Sequence, residues 1–283
     1  MKFLVDNYSS TYHTEPMYFN AVLNLIEGCS SDIRSNNMSI YDNFDLVNPD
    51  FFITHGGKLS TDIMSYLTEH TNIHLVLNIS GINQEQVDNL ENVLKSHDIK
   101  KATFFINYPN HEIVTKNINV FVLAHGADIF LSKTNEVKYQ IQKAIVISNK
   151  SQVTKREGTY HYLSNTSSML KDVDICLPAV YMSNFYKNYD KIIFKPFGKV
   201  VPQSYFDAIL GGNMVEYEPD SNNDPTIAIL ANIFEGCDTF EKVKQQVRNK
   251  HTCLHRTKSL LSQLPCNELV VKLGNIIGGT KWE

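Results

Sequence analysis

Short runs of almost wholly apolar residues recur along this chain, each closed by small or polar residues and followed by a helical pattern. Phe3-Leu4-Val5 opens the series. Phe51-Phe52-Ile53-Thr54 ends at His55-Gly56-Gly57, and His74-Leu75-Val76-Leu77-Asn78-Ile79 ends at Ser80-Gly81. Thr103-Phe104-Phe105-Ile106 and Val120-Phe121-Val122-Leu123 continue it. Between them, Thr14 caps a helix with Pro16 just inside its start, and Met17, Tyr18, Ala21, Val22, Leu25 and Ile26 form its expected apolar stripe. Further helices are predicted over about 59–69 and 84–96. A strand without a polar face must be covered on both sides. Strands that alternate with helices therefore predict a parallel sheet between two helical layers.

The pattern restarts after a polar connection at 132–142. Ala144-Ile145-Val146-Ile147, Tyr160-His161-Tyr162-Leu163, Asp174-Ile175-Cys176-Leu177, Lys191-Ile192-Ile193-Phe194 and Met214-Val215-Glu216-Tyr217 read as strands. Helices fit about 179–188, 203–210, 225–235 and 239–263. The expected fold class is α/β, with two Rossmann-like domains facing a central cleft. Residues 1–131 form the first, 132–142 the connection, 143–265 the second and 266–283 a tail. Ligands of open α/β sheets bind beyond the carboxyl ends of the strands. That places the small and polar strand ends, Asn7-Tyr8-Ser9-Ser10 among them, at the expected cleft.

Composition agrees with a globular protein: 283 residues, 42% hydrophobic, supply one sizeable core or two small ones. Cysteines at 29, 176, 237, 253 and 266 are odd in number and contain no CxxC. A disulfide framework or zinc knuckle is not expected, and a reducing compartment is. The N-terminus turns polar at Asp6 and no stretch approaches the ~20 apolar residues of a membrane span, so a cytoplasmic protein without a membrane partner is expected. Residues 1–140 hold 9 Lys and Arg against 16 Asp and Glu, a net of −7; residues 141–283 hold 17 against 14, a net of +3. The asymmetry suggests two halves with different tasks.

One stretch is more specific. Pro202-Gln203-Ser204-Tyr205-Phe206-Asp207-Ala208-Ile209-Leu210-Gly211-Gly212-Asn213-Met214-Val215 runs from a loop into a short helix bearing one acid, then a small-residue break, then a strand. Its helix N-terminus, with Ser204 in the first turn, suits a phosphate, and its acid could accept hydrogen bonds from ribose hydroxyls. The stretch resembles the nucleotide-binding segment of the two-domain GT-B glycosyltransferases, especially the group that includes spore-maturation glycosyltransferases. A second segment supports the resemblance: His251-Thr252, then His255-Arg256, then Leu260-Leu261, about 45 residues after the acid, are similar to that group's closing helix. The sequence departs from the group at Lys199, where an earlier Glu is usual, and at Gln203 and Ser204, where an arginine is.

The resemblance implies a nucleotide-sugar donor, a UDP-sugar first of all, held by the second half through Asn149, Lys150, Gly198, Lys195, Lys199, Ser204, Tyr205 and Asp207. The lysines would stand against the diphosphate charge, with no essential metal. The first half would present the acceptor through Asn7, Tyr8, Ser9, Gly56, Gly57 and Asp128. His55, Glu15 or His13 would serve as general base; for His55, capping of the following turn is the rival role. His251 and His255 have metal-ligand spacing on a helix but no evident third ligand, and Asp172-Val173-Asp174 imitates a DxD metal motif at a strand start. The whole chain is also similar to the small glycosyltransferases of T-even-like phages, which attach glucose or arabinose to hydroxymethylcytosine in DNA. That likeness makes double-stranded DNA an expected partner, met by Arg248, Lys250 and Arg256 on a basic closing helix. Three readings stay open besides: a transferase for polysaccharide or protein, a nucleotide-sugar epimerase or dehydrogenase, and a two-lobed binding protein. The oxidoreductase reading lacks a GxGxxG after the first strand, where Asp6-Asn7-Tyr8-Ser9-Ser10 stands.

Overall fold

The computed structural model describes residues 1–7, 15–107, 113–130, 186, 189–195, 201–219 and 221–280, with strand backbone alone at 143–147, 161–164 and 175–176. The first half is one parallel sheet of β1 (Lys2–Val5), β2 (Ser30–Ile33), β3 (Phe51–His55), β4 (His74–Asn78), β5 (Ala102–Ile106) and β6 (Val120–Val122), in the order β2-β1-β3-β4-β5-β6. Helices α1 (Glu15–Leu23), α2 (Ile40–Val47), α3 (Thr61–Glu69) and α4 (Gln84–Ser96) connect them. Every strand pair is parallel, with Phe3 opposite Phe51 and Ile53 opposite Val76.

Side chains alternate across the sheet and feed two cores. Phe3, Val5, Phe51, Ile53, Val76 and Phe105 point to one face. Leu4, Phe52, Leu75, Leu77, Phe104 and Ile106 point to the other, where α2, α3 and α4 pack. Each of these helices begins at a side-chain cap: Ser39 for α2, Ser60 for α3 and Asn83, in a reciprocal capping box with Gln86, for α4. On α1, Tyr18, Phe19, Val22 and Leu23 are buried with Ile26 beyond its end, while Met17 and Leu25 are about half exposed. The expected stripe was therefore rotated, because Glu15 in the first turn is drawn under the sheet edge by Asn78 and Asn107.

The second half is also a parallel sheet: β7 (Lys143–Ile147), β8 (His161–Ser164), β9 (Ile175–Cys176), β10 (Lys191–Phe194) and β11 (Met214–Tyr217), in the order β11-β10-β7-β8-β9. Helix α5 (Gln203–Leu210) crosses from β10 to β11, and α6 (Pro225–Ile233) and α7 (Phe240–Lys250) follow. Tyr186, Ile192, Phe194, Tyr205, Phe206, Ile209 and Val247 share a third core. Two parallel sheets, each with a reversal in its strand order, thus match the expected fold class. The helix expected over 179–188 lies outside the described residues, apart from Tyr186.

Two expectations for the C-terminus are corrected. The single helix over 239–263 is two, α7 and α8 (Cys253–Leu261), separated at His251-Thr252. The break arises because Thr252 leaves the helical path to pair in parallel with Ala127, a residue of the first half. The stretch read as a tail contains α9 (Asn267–Gly279). Leu254, Leu260, Leu261, Leu264, Leu269 and Leu273 of this closing segment are buried against Phe3, Tyr18, Phe19 and Val22, so it completes the first core.

Candidate functional site

Strand order locates where each sheet opens. In the first it reverses between β1 and β3, and in the second between β7 and β10. Crossovers leave to opposite faces at such a point, which opens a crevice at the carboxyl ends.

At the first switch point, Asp6 closes β1 and is 1% exposed. One of its oxygens accepts the Thr54 hydroxyl at 2.7 Å and the other accepts Arg34 Nε at 2.8 Å. Backbone bonds from Asp6 N to Ile53 O and from Arg34 N to Val5 O, both 2.8 Å, hold the three strand ends in register. Asn7, the next residue, is exposed. Tyr8, Ser9 and His13 lie outside the described residues.

Glu15 is also 1% exposed. Its carboxylate accepts Asn78 Nδ2 at 3.1 Å and Asn107 Nδ2 at 3.0 Å. Asn107 Nδ2 also donates to Leu123 O at 3.1 Å, its Oδ1 accepts the Ser80 hydroxyl at 2.7 Å, and its N–H donates back to Ser80 Oγ at 2.8 Å. The network ties α1 to the ends of β4, β5 and β6. Glu15 is therefore buried, with both carboxylate oxygens hydrogen-bonded in this arrangement. A buried charge with its donors removed is costly, so Asn107→Ala is expected to destabilise the protein by about 2–3 kcal/mol. Urea unfolding monitored by circular dichroism measures this, and a loss under 1 kcal/mol would contradict the network's weight.

His55 takes the capping role that the sequence left open. Its Nδ1 accepts Gly57 N–H at 3.0 Å, so Nε2 carries the proton and donates to Ser80 O at 2.9 Å. Both ring nitrogens are engaged in this arrangement. The glycines beside it serve packing: a Cβ on Gly56 would lie 3.2 Å from Leu90 Cδ2, and one on Gly57 3.3 Å from His55 Nδ1.

The two halves meet at a second polar cluster. Ala127 N–H donates to His251 O and Cys253 N–H donates to Ala127 O, each at 2.7 Å. Asp207 is 5% exposed, and its Oδ1 accepts the backbone N–H of Asp128 at 2.7 Å. The Asp128 carboxylate accepts Phe130 N–H at 2.9 Å, and burial raises its pKa. Arg256 Nε donates to His125 O at 3.0 Å and Nη2 to His251 Nδ1 at 2.7 Å. The His251 ring stacks on Phe206 with centroids 5.3 Å apart. Burial first, then the Arg256 charge, pushes the pKa of both His251 and His255 down to about 4. Arg256 is thus a junction residue, enclosed enough that burial lowers its own pKa. The expected DNA face of Arg248, Lys250 and Arg256 does not form on one helix: Lys250 ends α7 exposed, Arg248 is half-buried, and Arg256 sits on α8 facing the first half.

Of the expected donor residues, Tyr205 is a core residue, 6% exposed and edge-on to Phe194 at 5.0 Å, with its hydroxyl pKa pushed up to about 12 by burial. Ser204 is buried in the first turn of α5. Lys195, at the end of β10, pairs with Glu218 at the end of β11 at 2.7 Å. Asn149, Lys150, Gly198 and Lys199 lie outside the described residues, as do Asp172 and Asp174. Among the described residues, no group of three or more His, Cys, Asp or Glu is placed to hold a metal ion, and no helix is long and apolar enough to cross a membrane. Sequence reasoning missed Arg34, Asn78 and Asn107. The signal was there in part, since Asn78 and Asn107 are amides that close apolar runs.

No protein-family model matches the chain, and no curated protein sequence does. Among solved structures, it is similar to a protein assigned as a UDP-N-acetylglucosamine 2-epimerase from Listeria monocytogenes, at 11% identity over 96% of this chain and 90% of that one, with a TM-score of 0.39. It is also similar to the calicheamicin glycosyltransferase CalG4, at 8% identity over 99% of this chain and 98% of that one, with a TM-score of 0.37. A third similarity is to D-lactate dehydrogenase from Escherichia coli, at 11% identity and a TM-score of 0.28. Likeness at this level carries no argument, and the fold rests on the strand order itself.

Proposed function

We propose that this chain is a nucleotide-sugar-dependent glycosyltransferase, with the donor on the second half and the acceptor hydroxyl on the first. The observation that carries the reading is the local fold of residues 202–217. Pro202 leads into α5, Gly212 turns in the left-handed region at φ 88°, and β11 follows parallel to β10. A parallel crossover sets the start of α5 at the carboxyl edge of its sheet. Gln203, Ser204 and the Lys195–Glu218 pair then share that edge, and Asp207 stands where the halves meet. Transfer builds negative charge on the leaving diphosphate, which Lys195 and the α5 amides would stabilise.

Asp207 separates its two roles by substitution. Asp207→Asn keeps an oxygen for the Asp128 N–H but loses the charge offered to a ribose hydroxyl. The variant is expected to fold and to bind UDP about tenfold more weakly. Isothermal calorimetry with UDP and a panel of UDP-sugars, run in EDTA, measures this alongside slow sugar release. UDP affinity equal to wild type would remove Asp207 from the donor site, and saturable NAD binding without UDP binding would replace the transferase reading. For the acceptor, hydroxymethylcytosine in DNA is one arm of the test. Its support is the positive second half and the exposed Lys250, whereas Arg256 no longer contributes. Digesting treated DNA and weighing the nucleosides reads it directly.

A further inference from the structure

Arg34 stands at the first switch point, where its Nε pairs with the buried Asp6 carboxylate and leaves the rest of the guanidinium uncommitted among the described residues. It follows the edge strand β2, and its side chain is 23% exposed. Asp6 holds it through Nε alone, at 2.8 Å. Asp6 is itself fixed by Thr54 at 2.7 Å and by burial, so the guanidinium is oriented before any ligand arrives. Among the described residues, none takes its two terminal nitrogens. A guanidinium held by Nε offers those nitrogens as a planar fork, which matches two oxygens of a carboxylate or phosphate.

We infer that Arg34 is an oxyanion-binding residue of the first half, and that the acceptor is a small molecule carrying a carboxylate or phosphate near the hydroxyl that receives the sugar. The inference rests on the transferase reading for the word acceptor, but not for the site. Charge selects a small anion over a polyanion. The half that carries Arg34 has a net of −7 over residues 1–140, and at this edge Asp6 and Glu15 are both committed to neighbours. One fixed guanidinium in that field suits one compact oxyanion. A duplex would bring a row of phosphates against the surrounding carboxylates.

The test uses the full chain and inorganic phosphate, followed by ³¹P NMR line broadening with and without saturating UDP. With saturating UDP filling the donor edge, the wild type is expected to bind one phosphate. Arg34→Gln should weaken that binding by about tenfold or more, and Arg34→Lys, which keeps a charge for Asp6 but loses the fork, by severalfold. The lysine variant keeps the test decisive if the glutamine variant fails to fold. Acetate competing for the site would mark a carboxylate as equally accepted, and its failure to compete would narrow the class to phosphate. Phosphate binding that is absent in the wild type, or equal in wild type and Arg34→Lys, overturns the inference. So does weakened binding of hydroxymethylcytosine duplex DNA in Arg34→Lys with phosphate binding untouched. UDP binding in the same samples reports separately on the donor, so its absence would count against the transferase reading alone.

Discussion

Gly126→Ala is expected to cost about 3–5 kcal/mol of stability, the largest effect of any single substitution at the junction. An added Cβ would lie 2.9 Å from the carbonyl carbon and oxygen of Thr252 and 2.9 Å from Arg256 Cγ. Two of those three atoms are backbone, so no side-chain rotation relieves the clash. Gly126 must move away from Thr252, and the neighbouring Ala127 bridge to His251 and Cys253 is then strained or lost. Overpacking of this kind costs about 1–3 kcal/mol, and each backbone bond contributes about 0.5–1.5 more. The melting temperature should fall by about 6–10 °C. Faster proteolysis within 123–130 would show that the junction is what opened. A melting temperature within about 2 °C of wild type would mean that the close approach of the two segments is not needed.

Acid should weaken the same junction. His251 accepts a hydrogen bond from Arg256, so protonating it sets two cations against each other. Both His251 and His255 have native pKa values pushed down to about 4, by burial first and then by Arg256. An unfolded histidine titrates near 6.5. Above that pH both states hold the rings neutral and the stability is complete. Between about 6.5 and 4 the unfolded state takes up protons that the native state refuses, so stability falls as pH falls; below about 4 these groups add no further loss. Full burial would make this several kcal/mol, but both rings are partly exposed, and about 3 kcal/mol for the pair is the expected size after that discount. Urea unfolding at pH 7 and pH 4.5 measures it. His251→Asn, which keeps an acceptor for Arg256 and does not titrate, should remove about half of the difference. An equal pH difference in that variant would assign the acid loss to carboxylates elsewhere.

The sequence announced the sheets more clearly than their edges. Phe51-Phe52-Ile53 and Leu75-Val76-Leu77 are apolar on both faces, and only a central parallel strand suits them. β2 carries no apolar run because Ser30-Ser31-Asp32-Ile33 is an edge strand in which only the Ser31 side chain is buried. Helix α2 is announced only by its cap, Ser39. In the candidate site, His55 illustrates the limit. A histidine before two glycines at a strand end is written the same way whether it meets substrate or caps a turn. Only the fold shows the ring reaching Ser80, 25 residues on, while it caps the turn at Gly57.

What the sequence by itself determined is everything that depends on neighbours a few residues away. Apolar runs set the strands, Asn83 and Gln86 set the start of α4, and Gly212 set the turn before β11. These signals are local because hydrogen-bond ladders, caps and left-handed turns are satisfied within one turn or one strand. The tertiary structure alone decided where long-range partners fall. Residues 253–277 return to the first half because Leu260, Leu261 and Leu273 find Phe3 and Tyr18 there. Arg256 reaches a carbonyl 131 residues earlier, and Asp207 an amide 79 residues earlier. A basic residue on a helix carries no mark of whether it will face phosphates or a buried carbonyl. That choice belongs to the packing of two sheets against one closing segment, where the cost of leaving a backbone group or a guanidinium unpaired selects the partner.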